Sequence, residues 1–543
     1  MGCITTVEET LRLDHVGVCA AALRMVPEAA QPLANLTSRL LSSDADWDDV
    51  GVEGFVKGKE RGCIPMSKTR GLLPQTVLLS LMNRIVMGRI APVLDTQSAL
   101  RRVNTLLHGG AKGSQTQDIT FAVAQVLEKA RDRHNGGAVA QADIKQFHDC
   151  VPWGFVLKGL LARQVPEGWA RAALRLHRCP RIRLRVGVSL TRPLERTRSV
   201  LTGAASAGML ARVCVEDSYN AALSQMEPHG FEIDDSHKMV GMAWSDNLFT
   251  FGKSALLATT MMLTWSSHLK KLAGLRLKDD SYEVITADTR LYDDKQVAFG
   301  GVTWKHVSLL SSLGQCLSSS GCQSPDHKRI HRSWEAAFWR NAKVLTCQKI
   351  NVWSRLNYWG MLSRGIGSFR YCMWRPSKAA ATHMEALHNK ILHRIVKVQK
   401  LGEEPDDIYC RRRNRVVAEL RDRCNLKVSK QWSLALVRWL EHLKRHPDNP
   451  ASLLLEVQTD LWVETMRALR WTVSTHPSLR GGGTGTRSGP GKPIRWAEQW
   501  VEALHASLGL ENPTRDQALS RQRAHLVQTL LEKGRLHGVD MCM

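Results

Sequence analysis

The sequence predicts an α+β fold built on a split βαβ unit and followed by a mostly helical region. Three observations predict it. Two short segments of strand-like alternation end in, or turn at, an aspartate (Asp143 and Asp246). Stretches with apolar residues every three to four positions lie between and after them. Beyond residue 325 the chain reads as helical, basic and rich in tryptophan. At 543 residues the chain has room for about three or four domain-sized units.

Residues 1–55 read as helical, with an acidic patch at DADWDDV (44–50). Met1, Gly2, Cys3 and Thr6 match the bare pattern of an acylation signal, opposed by Glu8 and Glu9. A basic stretch, VKGKERGCIPMSKTRGLL (56–73), leads to the helical pattern of VLLSLMNRIVMGRI (77–90), and HGGAKGSQTQD (108–118) is a glycine-rich turn that opens a helix near Asp118. GAVAQADI (137–144) is a strand ending in Asp143, and WGFVLKGLLARQ (153–164) is helical. RIRLRVGVSL (181–190) alternates as one strand, apolar on one face, with Arg181, Arg183 and Arg185 on the other. LTGAASAG (201–208) is a glycine turn before the helix MLARVCVEDSYNAALSQM. MVGMAWSDNLFTFG (239–252) has two apolar arms around Ser245, Asp246 and Asn247, a hairpin with Asp246 at its tip. A helix from about Ser254 to Leu272 follows, then strand-like pieces to about Ser318. RGGGTGTRSGPGK (480–492) is linker by composition and precedes a small helical tail.

Composition narrows the function classes. Hydrophobic residues at 43% and charged residues at 23% suit a folded chain rather than one disordered throughout. The 75 Lys and Arg outnumber the 51 Asp and Glu, and a formal charge of +24 makes nucleic acid the default partner. The 13 cysteines lack CxxC pairs or zinc spacing and read as reduced thiols of an intracellular protein. The longest apolar run, around Ala255 to Trp265, falls short of the roughly 18 residues that a membrane span needs, so no transmembrane segment is expected.

In a split βαβ sheet the strand carrying Asp143 and the hairpin carrying Asp246 can lie side by side. Two adjacent carboxylates repel unless a cation sits between them. Hard divalent ions take oxygen ligands, and a Mg²⁺ pair about 3.5–4 Å apart suits nucleotidyl transfer.

The motifs resemble those of the reverse transcriptase domain of non-LTR (LINE-type) retrotransposons, with some likeness to group II intron enzymes, over about residues 55–400. ADIKQFHDCVP (142–152) is similar to motif A, which implies Asp143 as a metal ligand, Asp149 as its structural second aspartate, and His148 where an aromatic commonly excludes the 2′-hydroxyl. KTRGLLP (68–74) resembles the fingers motif that holds the incoming triphosphate, implying Lys68 and Arg70 for that role. HGGAKGSQTQD is similar to the next fingers motif, which helps position the template. RSVLTGAASAG (198–208) resembles motif B, with Gly203 kept and Thr202 replacing the usual Gln. AWSDN (243–247) resembles motif C, with Asp246 as ligand and Asn247 in place of the second Asp. LAGLRLKDDSYEV (272–284) is similar to motif D, its usual Lys falling near Ser281 with Lys278 the nearest substitute, and VSLLSSLGQCL (307–317) resembles motif E.

The resemblance implies a right-hand polymerase. Its parts would be an unassigned N-terminal region (1–55), fingers and palm (56–325), a helical thumb or connection (326–475), the linker (476–493) and the tail (494–543). It implies an RNA-directed DNA polymerase extending a primer 3′-hydroxyl from dNTPs on an RNA template. Mg²⁺ or Mn²⁺ would be held by Asp143, Ile144, Asp246 and Asn247. Two rivals stand beside it: a catalytically decayed nucleic-acid-binding scaffold, favoured by Asn247, Thr202, His148 and the missing motif D Lys, and an RNA-directed RNA polymerase, since His148 leaves sugar choice open. RRRNR (411–415) reads as a nuclear-localisation or phosphate-binding patch, or as a solvated helix face.

Overall fold

A computed structural model describes residues 28, 30–42, 47–57, 70–72, 76–99, 113–133, 136–186, 189–190, 192, 196–233, 238–287, 295–371, 373–374, 378–446, 449, 451–452 and 454. The acylation pattern, Lys68, the glycine-rich linker and the tail lie outside the described residues.

In chain order the elements are α1 (Ala30–Ser42), β1 (Trp47–Lys57), β2 (Arg70–Leu72), α2 (Val77–Ala99), α3 (Thr116–Arg133), β3 (Ala138–Asp143), α4 (Phe147–Cys150), α5 (Trp153–Ala162), α6 (Glu167–Arg178), β4 (Pro180–Val186), β5 (Ser189–Leu190) and α7 (Ala207–Met226). They continue with β6 (Phe231–Glu232), β7 (Lys238–Met239), β8 (Gly241–Trp244), β9 (Asn247–Gly252), α8 (Ala255–Ala273), β10 (Glu283–Thr286), β11 (Gln296–Phe299), β12 (Val302–His306), β13 (Leu309–Ser312) and β14 (Gln315–Ser318). Six helices close the described chain: α9 (Ser324–Arg340), α10 (Ala342–Leu345), α11 (Val352–Tyr371), α12 (Lys378–Val396), α13 (Asp406–Arg423) and α14 (Val428–Arg445).

The central six-stranded sheet runs β11-β12-β10-β3-β9-β8. Within it, β3, α7, the β8–β9 hairpin, α8 and β10 form a split βαβ unit. β3 lies antiparallel between β10 and β9, with the hairpin partner β8 outermost. Helices α7 and α8 pack on each other, and α8 lies on β3 and β9.

The pleat sorts side chains between two cores. Ala138, Ala140 and Ala142 join Leu248 and Val284 in the core with α7 and α8, where small alanines let a helix come close. Val139, Phe249, Phe251, Met242 and Ile285 face the opposite core with α3 and the C-terminal helices. Asp143 and Gln141 share the side of Val139, so Asp143 lies on the sheet face away from α7 and α8.

Two expectations change. Residues 47–57 form β1 rather than helix, because β4 pairs with them in parallel from far along the chain (Val52 with Ile182, Phe55 with Arg185). The 181–190 run is not one strand: β4 ends at Val186 and β5 returns antiparallel, Arg185 opposite Leu190. The alternation survives where side chains are described, Ile182 being buried and Arg183 exposed. Among the described residues one helix, at Val77–Asp95 of α2, is long and apolar enough to cross a membrane by length and composition. Its Leu79, Met82, Val86, Ile90 and Leu94 are buried in the core and Arg84 and Arg89 interrupt it, the pattern of a core helix.

Beyond β14 the described residues are mostly helical to residue 445, as the periodicity predicts. Trp334, Trp359, Trp374, Trp432 and Trp439 are buried there, so packing is their main work, while Trp339 is 63% exposed.

Candidate active site

The site begins where β3 ends. Backbone pairing runs Ala138↔Gly252 through to Asp143↔Asn247, and β8 pairs Trp244 with Asn247, leaving Ser245 and Asp246 as a two-residue turn. Ser245 adopts φ 56°, a left-handed conformation that a tight hairpin demands of one of its central residues. Directly opposed residues hold their Cβ atoms about 4.5–5.5 Å apart, so Asp143 and Asn247 are immediate cross-strand neighbours and Asp246 adjoins them. The amide of Ile144 donates to the Asp246 carbonyl at 2.7 Å, tying the two segments directly.

The third side of the site comes from the chain after α8. Lys278 N donates to the Asp143 carbonyl (2.8 Å) and Lys145 N to the Arg276 carbonyl (2.9 Å), around a bridge between Ile144 and Leu277. Ser281 Oγ accepts from the Asp143 amide at 3.0 Å and donates to the Lys278 carbonyl at 2.7 Å. Position 281, where the resemblance leads one to look for a lysine, thus fixes the backbone of Asp143. Lys278 Nζ pairs with Asp280 at 2.9 Å.

Asp143, His148, Asp246 and Asn247 are all half-buried. Burial lowers the pKa of His148, against the pull of the Asp246 and Asp149 carboxylates, so its imidazole is neutral at pH 7 and stands within the field of Asp246. Asp149 itself is exposed. Glu283, opposite Gln141 on β10, has its carboxyl pKa raised by burial, eased by Lys305 and further raised by Asp143. Sequence reasoning did not single out Glu283; the alternation of Ser281, Tyr282, Glu283 and Val284 was the signal, since it puts Glu283 on the face of Asp143.

The glycine turn docks beside His148. Val200 N donates to the His148 carbonyl (2.7 Å), and Ser199 N to that of Val151 (2.9 Å). Gly203 has φ 93°, which accounts for the glycine there. Asp143, Ile144, His148, Asp246, Asn247 and the Gly203 turn are therefore brought to one end of the sheet. Arg70 is not among them by any described contact: it lies on β2, in the separate sheet β2-β1-β4-β5, with its backbone opposite Lys57.

The donors suit a hard divalent cation: two carboxylates on adjoining strand ends, backbone carbonyls, and an amide oxygen at Asn247. Asn247 also works against it, because its Nδ2 donates to Asp246 Oδ1 at 3.3 Å and competes for that oxygen. Among the described residues no cluster of three or more His, Cys, Asp or Glu has metal-holding geometry.

Of the template-motif loop, residues 113–118 are described. Asp118 Oδ2 accepts from Gln115 N (2.7 Å) as a helix cap, while its Oδ1 meets His442 Nε2 of α14 at 2.9 Å, with Asp118 wholly buried. Gln115 and Asp118 of that motif thus bond to the last described helix.

No protein-family model matches this chain, and no curated protein matches it.

Proposed function

We propose that this chain is an RNA-directed DNA polymerase of a retroelement, extending a primer 3′-hydroxyl from dNTPs on an RNA template and working in the nucleus. One observation carries the reading. The unit β3, α7, β8–β9, α8, β10 brings the end of the strand carrying Asp143 against the tip of the hairpin carrying Asp246, on the face free of α7 and α8. In this reading β3 to β10 is the palm, β1, β2, β4 and β5 belong to the fingers, and α9 to α14 form the thumb and connection.

Divalent cations, when bound, supply the charge that activates the primer hydroxyl and stabilises the leaving pyrophosphate. Asp143 and Asp246 would hold them, helped by the Ile144 carbonyl and the Asn247 amide oxygen. His148 walls the sugar position as a neutral ring and adds no charge against the cations. The Gly203 turn faces the nascent base pair; the resemblance gives the triphosphate to Lys68, which lies outside the described residues, and to Arg70, which no described contact joins to this end of the sheet. The net charge of +24 supports a polyanionic template and primer.

The test is primer extension on an RNA template with Mg²⁺ or Mn²⁺, comparing dNTPs with NTPs. Extension by the parent and by neither Asp143→Ala nor Asp246→Ala is expected. A second reading, a decayed scaffold that only binds nucleic acid, is favoured by the Asn247 contact to Asp246. Salt-sensitive duplex binding without any extension would establish it in place of the first.

A further inference from the structure

Three residues far apart in sequence form a buried chain behind the Gly203 turn. His177 of α6 is fully buried; its Nδ1 accepts from Leu201 N at 2.9 Å, and its Nε2 lies 2.7 Å from Ser206 Oγ. Ser206 Oγ in turn hydrogen-bonds Asn83 Oδ1, and Asn83 Nδ2 donates to the Leu79 carbonyl (3.0 Å) within α2.

The direction of every bond follows. A backbone N–H can only donate, so Nδ1 carries no proton and the ring hydrogen sits on Nε2. That hydrogen goes to Ser206 Oγ, whose own hydrogen goes to Asn83 Oδ1. His177 stays neutral, since burial drives its pKa to about 3, helped by Arg196 and His148.

What this chain holds is a strained turn. Ser199 has φ 117°, a conformation that L-residues rarely adopt and that persists only where the surroundings over-determine it. Here they do: Trp153 Nε1 donates to the Ser199 carbonyl (2.6 Å), Ser199 N and Val200 N bond α4 and the residue after it, and His177 takes the next amide. The last of these anchors is one bond away from Val200, which grips His148.

We infer that His177, with Ser206 and Asn83, is a positioning group that locks the 199–206 turn and through it sets His148 for selecting the sugar of the incoming nucleotide. The inference rests on the polymerase reading. A plain core histidine would lend stability alone; a positioning one changes selectivity.

The test uses the full chain with Ser206→Ala and His177→Asn, the second retaining an acceptor toward Leu201 N. Hydrogen exchange of amides 199–204 should quicken about tenfold in Ser206→Ala, the equivalent of one lost buried hydrogen bond, and less in His177→Asn. In single-nucleotide incorporation, KM for the dNTP should rise about tenfold with kcat within about twofold, and the dNTP-to-NTP preference should shift, with His177→Asn closer to the parent. Unchanged exchange, or a lower active fraction at unaltered KM and sugar preference, overturns this inference while an active parent leaves the polymerase reading standing. A parent that incorporates neither nucleotide overturns both. Should His177→Asn fold poorly, the smaller change at Ser206 decides.

Discussion

Replacing Asn247 by Asp probes the candidate site through stability before any catalysis is measured. The change removes the Nδ2 donor 3.3 Å from Asp246 Oδ1 and puts a carboxylate there, opposite Asp143 in the strand register. Two unit charges 4 Å apart repel by about 4 kcal/mol at an effective dielectric of 20 and about 1 kcal/mol in water. The residues are half-buried, so the repulsion falls between these limits, and the lost hydrogen bond adds about 1 kcal/mol. A net loss of about 2–5 kcal/mol without divalent cation corresponds to a Tm lowered by roughly 2–4 °C for a chain of 543 residues unfolding as a unit. Cation should reverse it, because the third carboxylate raises affinity for Mg²⁺; a ligand at 100 times its Kd contributes about 2.7 kcal/mol. Calorimetry of parent and Asn247→Asp, in chelator and in Mg²⁺, reads both effects. Equal Tm values in chelator, or the same Mg²⁺ response in both proteins, would refute the reasoning.

Three other outcomes follow from the same geometry. Burial holds His177 and His388 neutral down to about pH 3 and His327 to about pH 4, whereas the unfolded chain protonates them near 6.5. The unfolded state then binds more protons, so stability is intact above pH 6.5 and falls on acidification by up to about 1.4 kcal/mol per pH unit for each histidine, a steep loss between pH 6 and 4 in acid titrations. Gly252→Ala puts a Cβ 2.5 Å from the backbone N of Ala258, which cannot yield as a side chain would, and should cost about 1–3 kcal/mol in denaturant unfolding. Binding to an RNA–DNA duplex should weaken linearly on a log–log plot against salt, with slope near −0.9 per phosphate contacted, and a flat plot would contradict a phosphate-directed surface.

Much of the split βαβ unit was legible because its signals are local. Strand β3 and its terminal Asp143, the hairpin around Asp246, and helix α8 with Ser254 as its cap all stand close to where periodicity and turn residues put them. Leu313 and Gly314 likewise turn β13 into β14, at φ 46° and 84°. Where the sequence misled, the cause was a distant partner. Strand β1 contains Asp48, Asp49, Gly51 and Gly54, poor strand formers, and exists through its parallel pairing with β4. The chain of Asn83, His177 and Ser206, and the joint of Asp118 with His442, connect residues whose local patterns carry no trace of each other.

Iron-mediated backbone cleavage tests the central claim, that Asp143 and Asp246 jointly hold a divalent cation, most directly. With Fe²⁺ in place of Mg²⁺ and ascorbate present, paired cuts are expected near residues 143 and 246, suppressed by Mg²⁺ and lost together in either Asp143→Ala or Asp246→Ala. Cleavage at one segment only, or cuts that survive both substitutions, would contradict it.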